Sequence, residues 1–79
     1  MTAREHSRQR AAALMVEFGP RVRSYVESFE TWELQEEDPD DLAFECVETL
    51  GLLELVQDRF ELMDLAKGVQ LIIASCRGT

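Results

Sequence analysis

The sequence predicts an all-α fold, a compact bundle of three to four helices in a single domain over residues 1–79. Three observations lead there. Apolar residues recur at helical spacing, most clearly as Leu62, Leu65, Ala66, Val69, Ile72, Ile73 and Cys76. Helix-start signals stand at Thr2 with Glu5, at Asp38 with Pro39, and at Asp58 with Glu61. No stretch alternates apolar and polar residues in the way a half-buried strand requires.

The first helix starts at the Thr2–Glu5 capping box. Its apolar face begins with Leu14, Met15 and Phe18 and continues in phase through Val22, Tyr25, Val26, Phe29 and Trp32. Gly19-Pro20 interrupts it. Proline removes a helical hydrogen bond and crowds the preceding turn, so the first helix is expected to be kinked there, or broken and restarted with Pro20 at its first position. The helix is expected to end between Gln35 and Asp38. Asp38-Pro39-Asp40-Asp41 then starts another, running to about Val56, apolar around more than half its circumference, with Gly51 as a weak point. The last helix is expected from about Arg59 to Cys76, followed by the polar tail Arg77-Gly78-Thr79.

Charge is distributed unevenly. Residues 1–23 carry five arginines against two glutamates, a net of +3; residues 24–66 carry fourteen acids against Arg59 alone, a net of −13; Lys67 and Arg77 add +2. Between Glu27 and Glu48 lie ten carboxylates and no Lys or Arg. Glu27, Glu30, Glu33 and Glu36 fall at steps of three, which on one helix makes a slanted row down a single flank. Glu37, Asp38, Asp40 and Asp41 extend the charge around the Pro39 corner. Part of this has a local explanation, because acids at a helix start complement its dipole. A one-sign run of ten exceeds what solubility calls for, since soluble surfaces mix both signs.

These features exclude several classes. A basic surface is needed to neutralise phosphates, so direct nucleic-acid binding is not expected. No apolar run approaches the length of a membrane span, and the apolar stretch Ala11 to Val16 is cut short by Glu17, so the protein is expected in the cytoplasm. Cys46 and Cys76 fall on apolar faces and are expected as buried thiols. The lone histidine, His6, sits in a polar first turn and is expected on the surface. There is no zinc spacing and no glycine-rich phosphate loop, and Pro39 breaks any calcium-loop pattern at the acidic corner, so no metal, cofactor or enzymatic activity is expected.

The complement of a dense acidic surface is a basic protein surface. The candidate binding residues are Glu27, Glu30, Glu33, Glu36, Glu37, Asp38, Asp40 and Asp41, with Trp32 among them, as tryptophan is enriched at interface hot spots. Trp32 has a second reading, as the cap of the core at its helix end.

In size and in charge layout from Glu27 to Glu48 the chain resembles the small phage-encoded anti-CRISPR inhibitors, and is most similar to those acting on type I effector complexes, type I-C among them. No shared motif carries the resemblance. It implies an inhibitor that mimics DNA, its carboxylates taking the place of phosphates in the lysine- and arginine-lined DNA-binding channel of a Cascade-type complex. On that reading, reversing Glu30, Glu33 and Glu37 to Lys abolishes function and leaves helicity intact. The broad apolar circumference of residues 42–56 supports a different class: a helical interaction module, such as an immunity protein or regulatory subunit, or a homo-oligomer. Salt separates the two, since charge-driven binding weakens steeply with ionic strength and apolar binding does not.

Overall fold

The computed structural model describes residues 2–77, and among them the fold is an all-α bundle without strands. Four α-helices follow in order: α1 Ala3–Glu27, α2 Thr31–Glu36, α3 Pro39–Thr49 and α4 Arg59–Arg77, with a 3₁₀ turn Leu52–Glu54 between the last two. Arg77 closes α4 rather than opening a tail; Gly78 and Thr79 lie outside the described residues.

The Thr2 hydroxyl accepts the Glu5 N–H at 3.1 Å and starts α1. The helix then runs through Gly19-Pro20 without stopping, so of the two outcomes read from the sequence the break is the one not taken. The reason lies in which side the defect faces. Pro20 leaves the Val16 carbonyl without its helical partner, and both Pro20 and Val16 are on the water side of α1. Burial of Val22 and Val26 in the next two turns holds the helix to its course.

Two expectations about helix length are corrected. The first helix does not reach Gln35: α1 ends at Glu27, where the Ser28 and Phe29 amides turn back onto the Tyr25 and Val26 carbonyls. Phe29 stays on the core through an edge-to-face contact with Tyr25, ring centroids 5.1 Å apart, although its backbone is no longer helical. The helix from Pro39 does not reach Val56: α3 ends at Thr49, and Gly51 takes a left-handed φ of +74° to redirect the chain into the 3₁₀ turn. Gly51→Ala meets no neighbouring atom, so its effect is conformational alone. Thermal unfolding should show a loss of about 1–2 kcal/mol, the usual penalty for Cβ in the left-handed region.

The long helices α1 and α4 are parallel. Ser7 meets Asp58 and Arg10 meets Glu61, each pair 51 positions apart. Further along, a Cβ built on Gly68 would stand 2.9 Å from Met15 Cγ, so the two helices approach closely there. A near-constant offset along both helices requires the same direction of travel. α2, α3 and the 3₁₀ turn form the return connection, and they cover the groove between the long pair with Leu34, Leu42, Ala43, Cys46, Val47 and Leu52. These meet Ala11, Val22 and Val26 of α1 and Leu65, Ala66, Val69 and Ile73 of α4 in one core. The expected stripe on α4 is the buried one. Burial and the neighbouring Glu45 push the Cys46 thiol up to about 11, which keeps it protonated and unreactive at neutral pH. Cys76 is only partly buried.

The molecule measures 41 × 17 × 17 Å. At 1.5 Å per residue, α1 alone accounts for about 37 Å of that length. Because α1 and α4 are parallel, both helix N-termini lie at one end. Arg4 and Arg59 meet there over the ring of Phe60, at 5.9 and 5.4 Å. The acidic α2 lies at the opposite end, where Arg77 reaches its Leu34 carbonyl.

Candidate functional site

The ten acids from Glu27 to Glu48 are divided among three helices. Glu27 is the last residue of α1, Glu30 is the N-cap of α2, Glu33 and Glu36 lie within α2, and Glu37 and Asp38 form the link to α3. This corrects the expectation of a slanted row on one continuous helix flank, since Ser28 to Glu30 interrupts it. All ten are exposed except Glu33, which is half-buried. Among the described residues, none is ion-paired with a Lys or Arg.

Four of the candidate acids have a visible local role. Glu33 Oε1 accepts the Glu30 N–H at 3.3 Å, the reach-back bond of a capping box, and so starts α2. The Asp38 carboxylate accepts the Asp40 N–H at 2.9 Å and caps α3, whose first turn carries Asp40 and Asp41 beside the positive end of the dipole. Asp40 also accepts a hydrogen bond from the Gln70 amide and ties α3 to α4. For this corner the helix-start explanation is therefore partly realised.

Glu27, Glu36 and Glu48 have no such explanation. Each stands in the last turn of its helix, where the dipole is negative and a cation is favoured, and none of α1, α2 and α3 has a basic residue in its last turn. Arg77 reaches the α2–α3 link, and it does not neutralise them. Its Nε donates to the Leu34 carbonyl and its Nη2 to the Glu37 carbonyl at 2.7 Å. The guanidinium thereby satisfies the backbone at the end of α2 and leaves the carboxylates to solvent.

Trp32 is 57 % exposed, so the reading of it as a core cap is not realised; Leu34 is the α2 residue that enters the core. Tyr25 and Phe29 pack against the core as partly buried rings. Beside the acids of α3, Phe44 is 46 % exposed between Asp41, Glu45 and Glu48. Of the two readings of the broad apolar circumference of residues 42–56, a central position or an interface, the first holds only in part: Leu42, Ala43, Cys46, Val47 and Leu52 are buried, and Phe44, Leu53 and Leu55 reach solvent.

A polar cluster that the sequence reading passed over lies at the other end. Glu61 is fully buried, and its Oε2 accepts from Arg10 Nε at 3.1 Å and from the Gln57 N–H at 3.3 Å; Oε1 has no hydrogen-bond partner among the described residues. Beside it the buried Ser7 hydroxyl donates to Asp58, at 3.0 Å to Oδ2, while Asp58 Oδ1 accepts the Glu61 N–H at 2.8 Å and caps α4. The signal was present in the spacing. Glu61 is four positions before Leu65 and eight before Val69, on the buried stripe, and Ser7 is four before the buried Ala11.

The Glu61 N–H, with help from the Ser7 hydroxyl, holds the Asp58 carboxyl below its ordinary value of 3.8. A depressed carboxyl stabilises the folded state fully above its unfolded pKa and loses that contribution as pH falls toward the folded one. Asn can keep the cap without titrating. Asp58→Asn should therefore reduce the steepness of acid destabilisation below about pH 4, read from denaturant midpoints at pH 6 and pH 3, with helicity at pH 6 unchanged.

Comparison with protein-family models, with curated proteins and with solved structures finds no match. Among the described residues no helix is long and apolar enough to cross a membrane, and no group of three or more His, Cys, Asp or Glu is placed to hold a metal ion.

Proposed function

We propose that this protein is a non-enzymatic inhibitor whose acidic surface occupies the basic DNA-binding channel of a nucleoprotein complex, acting as an anti-CRISPR protein that blocks target-DNA binding by a Cascade-type effector. The observation that supports this reading is the placement of Glu27, Glu36 and Glu48. They are exposed, unpaired within the described fold, and set against the helix dipoles. The helix dipoles disfavour acids at these positions and no ion pair among the described residues offsets that, whereas a basic partner would. Duplex DNA offers one negative charge per about 1.7 Å of axis, and carboxylates fixed on packed helices present dense charge without the ordering cost of a flexible tail. Encounter with a basic channel is steered and fast, and weakens with salt.

A second reading is supported by the exposed Phe44, Leu53 and Leu55: a helical interaction module whose apolar contact dominates. Affinity capture from a lysate of cells carrying a type I effector complex separates the two. The inhibitor reading expects a nucleic-acid-binding complex that elutes as salt is raised and is displaced by added duplex DNA. A partner retained at high salt and indifferent to DNA supports the apolar module instead.

A further inference from the structure

Most of the aromatic rings in this chain have a partner within the fold. Tyr25 and Phe29 pack on each other. Arg21 lies over Phe18 at 5.8 Å, and Arg4 and Arg59 lie over Phe60. Trp32 and Phe44 are the exceptions: among the described residues neither has a ring contact or a cation, although they are the most exposed of the aromatic side chains. Each stands one helical turn before an acid set against its helix dipole. Glu36 follows Trp32 by four positions on α2, and Glu48 follows Phe44 by four on α3. Asp41 and Glu45 complete the exposed side of α3 around Phe44.

The chemistry of these two pairs selects an occupant. A wholly apolar partner seated on Phe44 would strip water from the neighbouring carboxylates and leave them unpaired, which is costly. An ammonium pairs with the acids but offers no flat face to the ring. A guanidinium does both, since its plane stacks on an aromatic face while its N–H fork bonds a carboxylate in two places. The fold itself covers Phe18 and Phe60 with arginines, and no arginine of its own reaches the rings that lie among the acids. On the reading of the acidic surface as the one that binds, we propose that Trp32 with Glu36, and Phe44 with Glu48, are two seats for arginine side chains of the partner protein. The carboxylates supply the attraction to any basic surface, and the rings make it prefer arginine to lysine.

Hexa-arginine and hexalysine peptides, equal in charge, titrated calorimetrically into the protein at low salt test this. The arginine peptide should bind about tenfold more tightly, the product of two exposed guanidinium–ring contacts, and should quench the emission of Trp32, the single tryptophan. The variant Trp32→Leu/Phe44→Leu should keep its helical circular dichroism spectrum, because both rings stand outside the core. It should bind the lysine peptide as the parent does and lose the preference for arginine. Should that double variant fail to fold, Phe44→Leu alone decides the matter, with an expected loss of about threefold in the preference, the share of one contact. Equal binding of the two peptides by the parent, or a preference that survives removal of the rings, overturns the arginine seats and leaves the acidic surface standing as a site for a basic partner. Binding of neither peptide overturns both.

Discussion

Arg10→Ala should lower the free energy of unfolding by about 3 kcal/mol, the usual consequence of leaving one member of a buried ion pair alone. Glu61 has no access to water, and without Arg10 its carboxylate keeps only the Gln57 N–H. Arg10 retains 36 % of its side chain in water, which moderates the effect from the upper end of the range for wholly buried pairs. In a domain of this size the loss should lower Tm by about 12–24 °C. The double variant Arg10→Met/Glu61→Leu should behave in the opposite way. Removing both charges together leaves nothing uncompensated, and apolar replacements of similar volume are commonly neutral or stabilising. A double variant as unstable as Arg10→Ala would mean that the two residues act separately. Circular dichroism melts of the three proteins side by side give the answer.

The second large effect concerns binding. Reversing Glu27, Glu36 and Glu48 to Lys should reduce affinity for a basic partner by about 100-fold or more, since like charges placed across an interface cost several kcal/mol. The same triple reversal should leave the fold as stable as before, or raise its stability by about 1–2 kcal/mol, because each new cation sits at a helix C-terminus. Loss of binding together with retained or improved stability is a signature that a merely structural role cannot produce. These three positions are a sharper choice than Glu30, Glu33 and Glu37. Glu33 helps to start α2, so its reversal mixes a folding effect into the binding one.

Much of the fold was legible where a local rule and the tertiary structure agree. The caps at Thr2, Asp38 and Asp58 are real hydrogen bonds, and the α4 stripe is buried as its spacing requires. The end of α1 was not legible because Phe29 stays in apolar phase with Val22 and Val26 although the backbone has already turned. Only Glu30 and Glu33, three apart, marked the restart, and glutamate is not a favoured N-cap. The parallel course of α1 and α4 could not be read at all, since periodicity fixes which face is buried and not what lies against it. For the acidic surface, the sequence showed how many carboxylates there are and that no cation separates them. It did not show which of them the helices need. That division between Asp38, Asp40 and Glu33 on one side and Glu27, Glu36 and Glu48 on the other depends on where three helices end.

The most direct test of the inhibitor reading is binding of a labelled target duplex to a purified type I-C Cascade-type complex, with this protein titrated in at low and at moderate salt. If the acidic surface takes the place of DNA, the protein should displace the duplex competitively, displacement should weaken as salt is raised, and the Glu27→Lys/Glu36→Lys/Glu48→Lys variant should fail to displace it. Duplex binding that is unchanged by saturating protein, or displaced equally well by the triple variant, would contradict it.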